Sequence, residues 1–200
     1  MLKLYGSSKS RAARSLWALE EVGAKYEHIP IAPNEAKSPD NLKRNPNGHV
    51  PVLEDDGHLI WESMAINLYL AEKYGTGSLW PKDVGARADA YKWSIWGMTE
   101  VEPHLISILR NRVLLPADQK DEKAATQAVE ALKGPLKVLD GSLKDGHLLG
   151  GAFTIADLNV ASVLSWAMML RLDLSATPTA QAWLQKSVGR EANTKVRAMK

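Results

Sequence analysis

The stretch from Asn45 to Leu53 constrains this chain more than any other part of its sequence. It reads Asn-Pro-Asn-Gly-His-Val-Pro-Val-Leu. Pro51 has no N–H to donate to a sheet ladder, so it fits the first residue of a strand. A cis Val50–Pro51 bond would turn the backbone of Val50 outward and leave its N–H and C=O free for an extended peptide. Since cis is the minority state even before proline, the sequence leaves the isomer open.

A second segment, Trp-Glu-Ser-Met-Ala-Ile at residues 61–66, predicts the start of a helix. Ser63 belongs to a residue type that is favoured at helix N-caps, and a helix N-terminus presents free N–H groups to an anion. A strand edge close to a helix N-terminus suits a peptide that carries a carboxylate. The alternative interpretation is an ordinary strand that begins at proline, followed by a capped helix.

Together these two segments resemble the glutathione site of the soluble, cytosolic-type glutathione S-transferases. In that family the first segment reads roughly Asn-Pro-x-Gly-x-Val-Pro, and Glu-Ser or Asp-Ser opens the next helix. The resemblance implies that Val50, followed by Pro51, pairs with the cysteinyl backbone of glutathione. It also implies that Glu62 and Ser63 bind the γ-glutamyl end, Ser63 through both its side chain and its amide.

The resemblance matches two more residues to the glutathione site. Lys37 corresponds to a lysine that reaches the glycine carboxylate of glutathione in plant-type (phi) enzymes. The histidine that often precedes that lysine is Ala36 here, and a solvated lysine is the alternative interpretation. His49 stands where glutamine is common, and its imidazole either hydrogen-bonds the peptide or faces water.

The reaction of this family requires a group that stabilises the thiolate of glutathione, because the thiolate is the nucleophile. A free thiol titrates at about pH 8.5, and a hydroxyl that donates to sulfur beside a helix N-terminus can favour the anion. Ser7, Ser8 and Ser10 lie in the loop after the first predicted strand. Ser10 aligns with the active serine of phi enzymes and is the first candidate. Ser7 stands where theta and zeta enzymes place their serine and is the second.

Two other catalytic types fit this sequence less well. The chain has no cysteine, and Lys9 and Ser10 occupy the region where some subclasses place one. The thiol-transfer and dehydroascorbate-reducing activities of those subclasses are therefore not expected. Tyr5 is a possible phenolic donor, as in the tyrosine-type subclasses, but it lies within the predicted strand and is interpreted as a core residue.

Composition narrows the range of functions further. The 200 residues carry a net charge of +2, so nothing requires nucleic acid or an anionic membrane as a partner. Without cysteine there is no disulfide or thiolate metal site. The histidines show no ligand spacing, so no metal is expected, and no cofactor is expected beyond glutathione as co-substrate. No leader and no apolar run of membrane-spanning length is seen, which predicts a soluble cytoplasmic protein.

The order of elements predicts a small mixed sheet with helices on its faces, followed by an all-helical domain. The first part reads βαβαββα, the order of the thioredoxin-like domain that the resemblance implies. Its predicted elements are strands at Leu2–Tyr5, Tyr26–Ile31, Val52–Glu54 and His58–Trp61, a helix capped by Ser10 and ended by Gly23, a short helix within 34–44, and a helix from Ser63 to Tyr74. The expected domains are residues 1–75 and 83–200, joined by a linker at 76–82.

The predicted helical half contains five features. A long segment from about Asp83 to Leu115 is expected to bend or break at Pro103. A helix from about Lys123 to Leu143 is expected to be interrupted at Gly134-Pro135. Thr154 and Asp157 form a capping-box pattern that opens an apolar helix reaching about Leu170. A last helix begins near Pro178, and the tail from Arg190 is interpreted as polar and without a helix.

The resemblance implies an enzyme that conjugates the glutathione thiolate to a small apolar electrophile, a detoxification reaction. Candidates for the acceptor site lie on the long predicted helix and include Trp96, Glu100 and His104, although core packing explains the tryptophan equally well. The alternatives are a glutathione-dependent peroxidase and a non-catalytic protein of the same fold that binds glutathione or another ligand. Family members are mostly two-fold dimers, so a homodimer is expected.

Overall fold

The computed structural model describes residues 1–77, 79–143 and 145–199. These residues form two compact units, Met1–Trp80 together with Gly189–Lys200, and Pro81–Val188. Residues 189–200, which the sequence analysis placed in the helical domain, therefore belong to the first unit. Ser78, within the predicted linker, lies outside the described residues.

The first unit is built on a four-stranded sheet. Its elements are β1 (Leu2–Tyr5), α1 (Ala12–Val22), β2 (Tyr26–Ile29), α2 (Pro39–Arg44), β3 (Val52–Asp55), β4 (His58–Trp61) and α3 (Ser63–Tyr74). The strand order is β2-β1-β3-β4, with β1 parallel to β2 and antiparallel to β3. This arrangement confirms the predicted thioredoxin-like fold.

Apolar side chains from the sheet and from two helices form the core of this unit. The fully buried ones include Leu4, Leu16, Leu19, Leu53, Ile66 and Leu70. On α1 they recur at three-residue spacing, as expected for a helix that buries one face. Two predicted boundaries were wrong. β2 ends at Ile29 rather than Ile31, since Pro30 cannot donate to the ladder. The regular part of α1 begins at Ala12, two residues after Ser10.

The second unit is helical within its described residues. Its α-helices are α4 (Val84–Trp96), α5 (Glu102–Leu109), α6 (Glu122–Ser142), α7 (Ile155–Met169) and α8 (Pro178–Val188). One turn of π-helix, Gly97–Val101, connects α4 to α5, and Pro103 lies in the first turn of α5. Proline removes one N–H donor, and the disturbance expected at Pro103 takes the form of this π-helical turn. The chain stays helical from Val84 to Leu109, so the segment is not cut. No helix among the described residues is long and apolar enough to cross a membrane.

The predicted interruption of α6 at Gly134-Pro135 was wrong. The helix continues through Pro135 to Ser142. Proline removes one helical hydrogen bond and crowds the carbonyl four residues earlier, a cost of about 3 kcal/mol. The buried stripe of α6, which includes Leu132, Leu136 and Leu139, spans the proline on both sides, so tertiary packing holds the two halves in one helix.

The Thr154–Asp157 capping pattern is confirmed at the start of α7. Asp157 is fully buried, and its Oδ2 accepts hydrogen bonds from the Thr154 N–H at 2.9 Å and the Thr154 hydroxyl at 3.0 Å. Its Oδ1 accepts the backbone N–H of Leu148 at 3.0 Å and the indole Nε1–H of Trp183 at 2.9 Å. One carboxylate therefore joins the preceding loop, α7 and α8.

The helix that begins near Pro178 was expected to be the last, and this was also wrong. Glu191–Ala198 forms a further helix, α9, which packs against α1 within the first unit. Arg190 donates from Nε and Nη2 to both carboxylate oxygens of Glu21, at 2.6 and 2.8 Å, and Val196 is buried. The helix depends on this paired charge and on one apolar anchor, a pattern too sparse for sequence periodicity to reveal.

Candidate functional site

Three chain segments meet at Gly6, immediately after β1. Its φ of 136° lies in a region that L side chains rarely adopt. A Cβ placed on Gly6 would lie 2.7 Å from the Cβ of Ala12 and 3.1 Å from the Cβ of Val50. Glycine is therefore required here, because the loop passes directly between the start of α1 and the Val50–Pro51 bond.

The register of the sheet brings the predicted glutathione-binding segments to one edge. Tyr5, the last residue of β1, pairs with Val52, and Val52 pairs with Trp61, the last residue of β4. Pro51 precedes Val52, and Glu62 follows Trp61. The loop after β1, the Val50–Pro51 segment and the start of α3 consequently leave the sheet at the same end.

The serine loop, defined as residues 6–11, is held by hydrogen bonds of its own. The carbonyl of Ser7 accepts both the N–H of Ser10 at 2.9 Å and its hydroxyl at 2.7 Å. Ser10 Oγ in turn accepts the N–H of Ala12, the first residue of α1, at 3.1 Å. The N-cap position itself belongs to Arg11, so the prediction of Ser10 as the cap was wrong by one residue. The Ser7 hydroxyl oxygen accepts the Lys9 N–H at 3.2 Å. The Ser8 hydroxyl is directed to the carbonyl of Met199, at 3.5 Å.

The Val50–Pro51 bond is cis, and Pro51 is buried. Val50 is half-buried, and its backbone N–H and C=O take no hydrogen bond within the part of the chain that the structure describes. Two buried amides hold the preceding residue, His49. Its carbonyl accepts a hydrogen bond from Asn45 Nδ2 at 3.0 Å and a longer one from Asn41 Nδ2 at 3.4 Å.

Lys37 lies beside this segment. A Cβ on Gly48 would lie 3.2 Å from Lys37 Cγ, so the lysine stem covers the turn that leads to His49. Lys37 is exposed and takes part in no ion pair with the described residues. His49 is exposed too. An exposed ammonium next to an open backbone segment can meet a carboxylate at low desolvation cost.

Glu62 has a φ of 74° and a ψ of 116°, unusual for any residue other than glycine. Its carbonyl accepts the N–H of Ile66 at 2.9 Å, so it lies at the N-cap of α3 with its side chain exposed. The predicted cap, Ser63, is instead the first helical residue and is only 3% exposed. Such backbone strain occurs frequently at ligand sites, because the surrounding structure must enforce it.

Tyr5 is buried, and its hydroxyl donates to Glu54 Oε2 at 2.7 Å. Burial and this hydrogen bond raise the pKa of the Tyr5 phenol, while the Arg44 guanidinium, 4.3 Å from the ring centroid, opposes the shift. The phenol is therefore held neutral and directed at a carboxylate. This contact supports the interpretation of Tyr5 as a core residue.

Comparisons with known proteins identify the family to which these features belong. Residues 1–72 match the family model "Glutathione S-transferase, N-terminal domain", and residues 101–191 match "Glutathione S-transferase, C-terminal domain". The chain belongs to the glutathione S-transferase family.

Relatives of nearly equal length agree with this assignment. A probable glutathione S-transferase GSTF2 of Oryza sativa subsp. japonica is 33% identical over 99% of this chain and 96% of its own. Glutathione S-transferase GstB of Escherichia coli K12 is 32% identical, and the match covers 98% of this chain and 97% of the GstB chain.

Two solved structures show the same fold. A glutathione S-transferase-I bound with lactoylglutathione superposes with a TM-score of 0.88 at 33% identity and covers 98% of both chains. A theta class glutathione S-transferase from Xanthomonas axonopodis pv. citri, with glutathione bound, gives a TM-score of 0.90 at 26% identity, covering 100% of this chain and 98% of its own.

Sequence reasoning missed the residues that position this site. Gly6 and Asn41 contact the site segments without belonging to the motifs that were matched, and Asn45, although it opens the first motif, was given no role. Asn41 lies within a short helix and Asn45 directly follows it. In the sequence, polar residues at such positions look the same as those of an ordinary solvated helix. Both asparagines are in fact buried, at 0% and 1% exposure.

The acceptor-site candidates lie in the second unit. Trp96 ends α4, half-buried, with its ring edge-to-face against Trp93 at a centroid distance of 5.0 Å. Glu100 is exposed in the π-helical turn, and His104 is half-buried on α5. Their part in binding an acceptor remains a prediction. No group of histidine and acidic residues suited to a metal ion is found among the described residues.

Proposed function

We propose that this glutathione S-transferase family member conjugates the glutathione thiolate to a small apolar electrophile, with Ser10 as the thiolate-stabilising residue. The observation that carries the proposal is the environment of the Ser10 hydroxyl. Its oxygen accepts an N–H from the first turn of α1, next to a Gly6 that touches Val50. A hydroxyl polarised in this way is a stronger donor to an anion.

In the free protein the Ser10 proton points to the carbonyl of Ser7, at 2.7 Å. To stabilise a thiolate, the hydroxyl rotates and exchanges this neutral acceptor for sulfur. A charge-assisted bond is roughly twice as strong as a neutral one, so the exchange is favourable only with the anion. The N–H of Ala12 and the N-terminus of α1 favour the same charge state.

The chemistry then needs no further protein group. The thiol proton leaves to solvent, and the sulfur lone pair forms a bond to an electrophilic carbon. A leaving group departs with its bonding electrons, or a conjugated double bond takes up the pair and is protonated by water. The protein contributes by holding the thiolate in position and by keeping its population high at neutral pH.

Ser7 remains the second candidate for the thiolate contact. Its hydroxyl oxygen accepts the Lys9 N–H, and its own proton has no acceptor among the described residues. Ser7 could therefore donate without giving up a bond. Ser10 is favoured because its oxygen, and not that of Ser7, accepts an N–H from the first turn of α1.

Four features support glutathione as the thiol substrate. The open backbone of Val50 can pair with the cysteinyl residue, and the strained Glu62 with buried Ser63 presents the N-terminus of α3 to the γ-glutamyl carboxylate. Lys37 is free to meet the glycine carboxylate, and the exposed His49, next to Val50 in the chain, can hydrogen-bond the peptide. The names of the related structures, which include glutathione and lactoylglutathione as ligands, support the same choice.

We also propose that the protein is a homodimer. Val84, Tyr91 and Ile95 on α4 are 76%, 42% and 62% exposed, and Ala88 lies between them on the same stripe. Spacing of three and four residues places them on one helix face. A self-complementary apolar face of this kind is suited to a two-fold contact between copies of α4.

The deciding experiment is conjugation of glutathione to 1-chloro-2,4-dinitrobenzene, measured beside calorimetric titration with glutathione. Binding together with turnover supports the proposal. Binding without turnover would instead indicate a peroxidase, tested with cumene hydroperoxide as substrate, or a ligand-binding role. No binding of glutathione would refute the assignment of this site.

A further inference from the structure

We infer that His28, on β2, is a positioning residue for the serine loop. Its Nε2 lies 2.8 Å from the carbonyl oxygen of Gly6. A carbonyl oxygen only accepts, so Nε2 carries the hydrogen, and it does so in both the neutral Nε2–H tautomer and the protonated ring. The inference rests on the proposed function, since it concerns how that site is held.

His28 reaches the loop from the side of the sheet that faces α1. Tyr26 and His28 are two residues apart on β2 and therefore share a face. The Tyr26 hydroxyl donates to Glu20 on α1, at 2.8 Å, which identifies that face. His28 is half-buried, so its ring is not enclosed within the apolar core.

The hydrogen bond acts at the junction of the site. The N–H of Gly6 donates to the Ile29 carbonyl at 3.0 Å, so adjacent residues of β2 hold both the N–H and the C=O of Gly6. The Gly6–Ser7 peptide is thereby fixed. The next carbonyl, that of Ser7, is the acceptor of the Ser10 hydroxyl.

Close packing transmits any movement of Gly6. It lies within van der Waals distance of Ala12 and Val50, where even a methyl group would not fit. The loss of the His28 bond would free the 6–7 peptide to rotate and would displace the Ser7 carbonyl relative to Ser10. The imidazole forms its hydrogen bond with Gly6 and not with the segments proposed to bind the peptide, which are Val50, Glu62 and Ser63. Affinity for glutathione should therefore change little.

The test compares His28→Leu with His28→Gln. Glutamine can donate an N–H over a similar reach, whereas leucine cannot. In steady-state conjugation of glutathione to 1-chloro-2,4-dinitrobenzene, His28→Leu should lower kcat about fivefold to tenfold, the effect of one lost hydrogen bond. KM for glutathione should stay within about twofold.

The pH–rate profile and the bound-thiolate absorbance near 240 nm provide the readout that loss of folded protein alone would not change. We expect His28→Leu to raise the apparent pKa of the bound thiol and His28→Gln to restore it. His58→Leu is the matched control, since His58 is an exposed histidine on β4 of the same sheet, and it should leave both parameters unchanged.

Three results would overturn the inference: unchanged kcat and pH profile in His28→Leu, equal impairment in His28→Gln, or a loss of kcat explained entirely by the unfolded fraction in a thermal melt. If His28→Leu does not fold, His28→Asn replaces it, because asparagine is too short to reach Gly6. A wild-type protein that does not bind glutathione would refute the proposed function and this inference with it. An active wild type with an unaffected His28→Leu variant would refute only the inference.

Discussion

The Ser10 hydroxyl donates to the Ser7 carbonyl at 2.7 Å while its oxygen accepts the N–H of Ala12 at 3.1 Å. One side chain thus closes the loop and accepts the first N–H of α1 in the free protein, and it must release the first of these contacts to meet a thiolate. A variant of this residue should therefore change both the rate of catalysis and the stability of the fold, and the two effects can be measured separately.

Ser10→Ala should lower kcat for aryl-halide conjugation by about tenfold to a hundredfold, because a charge-assisted hydrogen bond to sulfur is lost. The loss of the hydrogen bonds of this hydroxyl should reduce the free energy of unfolding by about 1 kcal/mol. KM and calorimetric affinity for glutathione should change little. Ser7→Ala is the matched control; if it lowers kcat more than Ser10→Ala does, the roles of the two serines are reversed.

Asn45→Asp should weaken glutathione binding about tenfold. The substitution keeps the oxygen that accepts the Asn47 N–H at 3.0 Å, but it replaces the Nδ2–H that donates to the His49 carbonyl with a buried oxygen. Two acceptors would then face each other, and the Val50 backbone would move. Isothermal titration with glutathione measures the effect. Asn34→Asp, which adds the same charge at another exposed position, should bind like wild type, and equal affinities of all three proteins would contradict this account.

The sequence predicted the elements whose signals are local. The Val50-Pro51 and Glu62-Ser63 segments carry distinctive residues, and the core helices show regular apolar spacing. The N-terminal strands were placed to within two residues. These features depend on neighbours along the chain, so one sequence is enough to reveal them.

Contacts between distant residues account for what sequence reasoning missed. Pro135 lies inside a continuous helix because packing on both sides outweighs its local cost. α9 forms because Arg190 meets Glu21 and Val196 is buried against the first unit. The hydrogen bond from His28 to Gly6 likewise joins residues 22 positions apart, and nothing in the local sequence marks it.

Asp55 should make the protein sensitive to acid. Burial opposes its ionisation, but hydrogen bonds from Lys73, Tyr74 and Tyr69 outweigh burial and lower its pKa from 3.8 to about 2. Because the folded-state pKa lies below the unfolded value, the stabilisation is present above about pH 4 and is lost as the pH falls towards 2. It amounts to about 2 kcal/mol.

Urea unfolding at pH 5, 4, 3 and 2 measures this contribution against Asp55→Asn, which cannot titrate. Wild type should lose about 2 kcal/mol more than the variant as the pH approaches 2. Asp56→Asn, at an exposed position one residue along, should follow the wild-type curve. Parallel curves for wild type and Asp55→Asn would contradict the assignment.

Asp157→Ala should reduce the free energy of unfolding by about 3 kcal/mol, because four buried donors lose their acceptor. Asp121→Ala is the matched control. Asp121 caps α6 at an exposed site through one hydrogen bond to the Ala124 N–H, at 2.9 Å, and should cost about 1 kcal/mol. Denaturant unfolding of both variants measures the difference, and equal losses would show that burial of the cap adds nothing.

The apolar stripe of α4 predicts that Ile95→Lys breaks the proposed homodimer. A lysine placed on this apolar stripe would have its charge desolvated against α4 of the partner copy, and the contact would lose apolar area as well. Sedimentation velocity should give a dimer for wild type and a monomer for the variant. Val138→Lys introduces the same charge at an exposed apolar position of α6, where Val138 is 53% exposed, and should remain a dimer. A monomeric wild type, or a dimeric Ile95→Lys variant, would show that α4 does not form the interface.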